Sequence, residues 1–232
     1  MKSVFPSILS AVLAAGLFSS CANQKFSKAQ LDSMSSVAIT ADTSGDAPKR
    51  LFAGSDGPAA TGIVVGAVAG AGVGGALGAV IGDQISKSQD ESFHQKNPAA
   101  AASITKITPR DMGPRLQKRL TSTLQRDPFF GPRLKSSGST VLHARMDSYQ
   151  LRRSGERGGE FLFSPFLSGT ATLKDSGGKE LTKVPFRISA KTKRTLSEYN
   201  SNPKLLESDY DEVLNQAATT IGQTLSTQAG QR

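Results

Sequence analysis

The sequence predicts an α+β fold: a two-layer sandwich in which helices cover one face of a mainly antiparallel sheet. Three observations carry that prediction. Stretches 139–153, 160–174 and 181–196 are strand-like, with apolar and polar residues alternating along much of their length, as in strands with one buried face. Met112, Leu116, Leu120 and Leu124, then Tyr210, Leu214, Ala217, Ile221 and Leu225, fall at helical spacing and give two helices an apolar stripe each. The order strand, helix, three strands, helix segregates helices from a sheet built largely of sequence neighbours. A Gly/Ala-rich segment, read as a helix or a helical hairpin, separates the first strand from the rest.

The chain opens with Met1–Lys2, a minimal positive region, and Val4–Leu17, an apolar run. At about 14 residues that run suits an export signal and falls short of the ~20 needed to cross a bilayer. Phe18, Ser19 and Ser20 then lead into Cys21, the only cysteine among the 232 residues. This N-terminus resembles the lipobox signals of bacterial lipoproteins, in which the cysteine becomes the acylated first residue of the mature chain. The family favours Leu three residues before that cysteine, where this chain has Phe18. The resemblance implies lipidation of Cys21 with palmitate-type chains and a mature chain of Cys21–Arg232. With Ala22 rather than Asp following, it also implies the outer membrane, facing the periplasm, with the inner membrane as the alternative. An ordinary secretory signal with an incidental cysteine, or an uncleaved anchor, stays open. The strand-like Ser36–Ala41 follows.

Gly57–Gly82 is 26 residues without a charge, and within it Gly62, Gly66, Gly70, Gly74, Gly78 and Gly82 recur every fourth residue. Five consecutive GxxxG steps on a helix make a groove of bare backbone that another helix can approach closely. With Gly72 and Gly75 the ladder holds eight glycines, which at roughly 1 kcal/mol each against Ala would leave a free helix unstable in water. Packing in lipid or in an oligomer must therefore offset the loss; the alternative is a flexible Gly/Ala linker. The segment resembles the glycine zippers of small outer-membrane lipoproteins and surface antigens. As one helix it would be about 39 Å long and would span a bilayer. As a re-entrant hairpin bent at Gly74-Gly75, each arm would reach about 18 Å. The hairpin is preferred if Ser36–Ala41 joins the C-terminal sheet, because both flanks then share a compartment.

Thr108-Pro109 opens the first helix of the C-terminal part, with Asp111 in its first turn, and Asp127-Pro128 ends it. In the strand from Ser139, Leu142, Ala144 and Met146 share one face, and Val141, His143, Arg145, Tyr149 and Leu151 the other. Gly155–Gly159 reads as a loop, and Pro165 marks an edge or bend in the next strand. Asp175–Lys179 is a turn leading to the strand of Val184, Phe186, Ile188 and Ala190. Asn200–Pro203 is a second loop, and Ser208 with Asp211 opens the last helix as a capping-box-like pair. This order resembles the soluble domains of small envelope lipoproteins that assist transporters or assemble outer-membrane components. The expected organisation is a signal peptide (1–20), a lipidated segment with one strand (21–56), the glycine zipper (57–90), a linker (91–104) and an α+β periplasmic domain (105–232).

Composition excludes several chemistries. One Cys rules out an internal disulfide framework and a Cys-rich zinc site, and two His leave little for a metal cage. His94 sits in a polar linker and His143 on a strand, while Asp209, Asp211 and Glu212 crowd the expected helix start, where capping accounts for them. P-loop, HExxH, CxxC and nucleophile-elbow patterns are absent from the sequence. No enzyme, cofactor or metal is expected. Residues 104–153 hold eleven basic and three acidic side chains, which supplies nearly all of the +9 net charge. Arg115, Lys118, Arg119 and Arg126 surround the first helical stripe and are the expected contact with an anionic surface. Nucleic acid is not expected, since the protein is read as exported. The expected function is a non-enzymatic, lipid-anchored envelope protein whose zipper packs in the membrane or self-associates. Its expected partners are the membrane, through the acyl chains, a second copy of the chain and an envelope protein. The alternative is an accessory lipid- or solute-binding lipoprotein of a transport system.

Overall fold

The computed structural model describes residues 25–44 and 95–230; the signal segment, Cys21, the glycine ladder and His94 lie outside them. Five α-helices and five strands are described, with a short 3-10 helix at Gly131–Arg133: α1 (Lys28–Ser33), β1 (Val37–Thr43), α2 (Pro98–Ile107), α3 (Met112–Leu124), β2 (Thr140–Arg157), β3 (Glu160–Lys174), β4 (Glu180–Ser189), β5 (Arg194–Thr195), α4 (Leu196–Ser201) and α5 (Pro203–Gln228). The fold is α+β. One sheet runs β1-β2-β3-β4, and β5 pairs with β3 past the end of β4.

The sheet is mixed, which corrects the mainly antiparallel expectation. β1 lies parallel to β2, with Val37 opposite Thr140 and Thr43 opposite Met146, whereas β2–β3, β3–β4 and β3–β5 are antiparallel. The cause is the connection: a parallel pair needs a crossover. The chain between β1 and β2 supplies α3, which packs against β1. The outer edge of β1 is closed as well. Leu134 bridges to Val37, the Lys135 N–H donates to the Val37 carbonyl at 3.0 Å, and the Gln117 side-chain amide donates to the Ile39 carbonyl at 2.9 Å. An edge so occupied offers little to a foreign strand.

Both predicted helical stripes are buried. Met112, Leu116, Leu120 and Leu124 of α3, with Tyr210, Leu214, Ala217, Ile221 and Leu225 of α5, pack over Leu142, Ala144, Met146, Ala171, Leu173 and Val184 in one core. Burying such a side chain contributes roughly 1.5–3 kcal/mol before chain entropy is counted.

Several boundaries move. β2 carries a bulge between Met146 and Ser148, so Asp147 has no opposite number and the side-chain alternation shifts by one. Tyr149 and Leu151 therefore join the buried face with Leu167, not the face of Val141 and His143 as expected. The loop expected at 155–159 shrinks to a tight turn at Gly158-Gly159, whose positive φ values of 59° and 82° suit a two-residue hairpin connection. Pro165 lies inside β3, paired with Leu151 on one side and at a local edge on the other. Its carbonyl accepts from the Ala190 N–H at 2.8 Å, so its missing N–H faces the break between β4 and β5, where no ladder bond is lost. The linker expected over 91–104 is helical from Pro98, and the helix expected at Thr108-Pro109 is split there, α2 ending at Ile107 and α3 starting at Met112. The loop expected at 200–203 narrows to Asn202, and α5 starts at Pro203, so Ser208 and Asp211 are interior and do not cap it. A proline at the first helical position needs no N–H partner, which sets the earlier start.

Candidate functional site at the two ends of the sheet

At the end of the sheet holding the Arg157–Glu160 turn, polar groups tie three elements together. The carboxylate of Asp209 on α5, only 4% exposed, accepts from Arg194 Nε of β5 at 2.8 Å and from the Tyr199 hydroxyl of α4 at 3.1 Å. Burial first, then Asp209, pushes the Tyr199 phenol far above its ordinary range. Thr195 and Glu198 form a reciprocal capping box on α4, at 3.2 and 2.7 Å. The Thr195 N–H first, then Arg157 at 2.8 Å, holds the Glu198 carboxyl below its usual value. On β2, the Arg152 and Arg153 guanidinium groups stack 4.0 and 3.9 Å from the ring centres of Phe166 and Phe161.

The opposite end gathers the start of β1 and β2, the β3–β4 turn and the C-terminal turn of α5. There the N-terminal segment is built into the fold: Phe26 and Met34 are buried, Ser27 caps α1 in a capping box with Gln30, and the Phe26 N–H donates to the Gln228 carbonyl at 2.8 Å. The Gln228 side-chain amide reaches Thr182 of β4 at 3.1 Å. Asp127 accepts from the Phe129 and Phe130 N–H groups at 2.8 Å each and from the Ser226 hydroxyl. Asp175 accepts from the Gly177 and Lys179 N–H groups, closing the predicted turn.

The expected site residues divide as follows. Cys21 and the ladder glycines Gly62, Gly66, Gly70, Gly74, Gly78 and Gly82 lie outside the described residues. Arg115 and Arg119 both reach Asp211 on α5, at 2.9 and 3.3 Å, and so link two helices. Lys118 and Arg126 are exposed. The basic block is contiguous in sequence but dispersed in space, because α3 and β2 carry its members to different faces. His143 is half-buried, its Nδ1 2.9 Å from the Thr40 hydroxyl and its Nε2 3.5 Å from Asp42. Asp209, Asp211 and Glu212 serve not as caps but as tertiary partners, Glu212 accepting from the Lys191 N–H at 3.5 Å. The Asp209 cluster escaped sequence reading. Its signal was spacing: Asp209 lies three residues after Leu206 and four before Val213, on the apolar face. Among the described residues, no group of three or more His, Cys, Asp or Glu is placed to hold a metal ion, and no helix is long and apolar enough to cross a membrane.

No family model and no curated protein matches this chain. It is similar to several solved structures, none with a TM-score above 0.4 among three compared. A minor lipoprotein from Acinetobacter baumannii matches 50% of this chain and 83% of its own at 19% identity, TM-score 0.37. A Xanthomonas campestris protein of family DUF330 matches 48% and 60% at 13% identity, TM-score 0.35. A Caulobacter crescentus protein described as a lipoprotein matches 54% and 89% at 16% identity, TM-score 0.36.

Proposed function

We propose that this chain is a non-enzymatic cell-envelope lipoprotein, acylated on Cys21 and held to the outer membrane on its periplasmic side, with a glycine ladder that enters the bilayer as a hairpin and self-associates. The observation that carries the anchor is the coincidence of the only cysteine with the end of an export-type apolar run. Two acyl chains hold a protein firmly without a second device. The ladder therefore serves something other than tethering, and close helix packing between copies is the role its period fits.

The pairing of β1 with β2 supports the hairpin. Residues before and after the ladder belong to one sheet domain, so a single crossing would have to pull that sheet apart across a bilayer. The 12-residue connectors 45–56 and 83–94 each reach about 40 Å when extended. That is about twice the rise along β2 from the level of Ser44, beside Met146, to Thr140.

Palmitate labelling and protease accessibility on both flanks of residues 57–86 test anchor and topology. Wild type is expected to incorporate label and Cys21→Ser to lose it, with both flanks cut from the same side of the membrane. Label on Cys21→Ser, or cleavage from opposite sides, contradicts the proposal. A Gly70→Leu, Gly74→Leu double change is expected to abolish cross-linked oligomers while the protein stays membrane-bound. Unchanged oligomers refute self-association through the ladder.

A further inference from the structure

Phe26 is buried and hydrogen-bonded to the last turn of α5, so only five residue steps separate Cys21 from a fixed point on the domain. Such a leash reaches about 17 Å. The end of the domain it leaves from is cationic. Lys25, Lys28, Arg126, Lys135, Lys174 and Lys179 are exposed there, and none has an ion pair among the described residues. The carboxylates at the same end are fewer: Asp32, Asp127, Asp175 and Glu180, the last paired with a seventh cation, Lys183, at 2.8 Å, so positive charge stays in excess. These cations come from α1 and the residues before it, the segment after α3, the end of β3 and the β3–β4 turn, and are gathered only by folding.

We infer that this end of the domain docks on anionic lipid headgroups beside the anchor and stands the sheet upright on the membrane; this rests on the reading of Cys21 as acylated. Attraction to headgroup charge decays over a Debye length of about 8 Å at physiological salt. A long leash would dilute it, and this short one confines the cations within a few such lengths. In the docked pose the Arg157–Glu160 turn is held about 50 Å from the surface, the rise of β2 from Val141 to Arg157. Its arginine-bearing tip then faces away from the anchoring leaflet.

The test uses the full-length acylated protein in phosphatidylethanolamine vesicles, with and without phosphatidylglycerol, carrying a headgroup-linked energy acceptor. Donor dyes are placed on Ser176→Cys in the β3–β4 turn and on Glu156→Cys near the far turn, Cys21 being blocked by its acyl chains. Transfer from position 176 is expected to exceed that from 156 several-fold with phosphatidylglycerol present. That contrast is expected to shrink in high salt and in a Lys25→Glu, Lys28→Glu, Lys174→Glu, Lys179→Glu variant. Equal transfer from the two positions, or a contrast indifferent to salt, overturns the inference while leaving the anchor intact. The salt series needs no charge variant, so misfolding of the quadruple change does not blunt the test. Failure of the wild type to take up palmitate overturns the anchor, and the docking with it.

Discussion

Asp209→Ala is expected to lower the unfolding free energy by about 3 kcal/mol, read from the urea midpoint at neutral pH. The carboxylate is almost fully buried and holds Arg194 and the Tyr199 hydroxyl at once. Truncating it strands two donors in a place made for an anion. Breaking a buried pair from one side ordinarily costs about 3–5 kcal/mol, because the surviving charge stays desolvated. The low end applies here, since the Arg194 side chain is 27% exposed and water can reach it. Asp209→Asn keeps an acceptor for Tyr199 and is expected to lose less. Removing both charges, with Arg194→Met and Asp209→Leu, is expected to recover part of the loss, as apolar replacements of buried pairs do. A drop under about 1 kcal/mol for Asp209→Ala would mean that solvent takes over the role of the carboxylate, and the cluster is then not what ties β5 and α4 to α5.

What the sequence showed, and what it hid, follows from how local each cause is. The stripes of α3 and α5 were readable because each is a periodic pattern within one element, and every residue of both is buried. The Asp175–Lys179 turn was readable because its own side chain closes it. The face of Tyr149 and Leu151 was not, because a bulge obeys the partner strand as much as its own: Met146 and Ser148 sit opposite the consecutive Gly169 and Ser168. Nor was the direction of β1, a strand paired across a gap of about a hundred residues in sequence. The charge block has the same limit, since net charge along a chain carries no information about which arginines find a carboxylate on another helix. Arg115 and Arg119 found Asp211. The cations left without partners around Phe26 come from segments that look unremarkable one at a time.

Gly169→Ala is expected to destabilise the domain by about 3 kcal/mol or more, the top of the usual range for overpacking. Gly169 sits opposite Met146, where the bulge draws β2 against β3. A Cβ there would strike the Arg145 carbonyl oxygen, come within 2.6 Å of the Phe186 ring and 3.0 Å of Met146 Cα. Phe186 is a buried side chain and could rotate at some cost, but the two backbone atoms belong to a paired strand and cannot yield without breaking ladder bonds. Shrinking the ring with Phe186→Leu in the Gly169→Ala background is therefore expected to leave most of the loss in place. Full recovery in that double variant would assign the conflict to the ring and not to the bulge. Gly158→Ala supplies the reference for a purely conformational effect: its φ is 59° and no atom lies within 4 Å of the added carbon, so about 1–2 kcal/mol is expected. If the two alanine variants unfold at the same urea concentration, close packing at the bulge contributes nothing beyond ordinary backbone strain. The register of β2, and with it the burial of Tyr149 and Leu151, must then be maintained by the core residues alone.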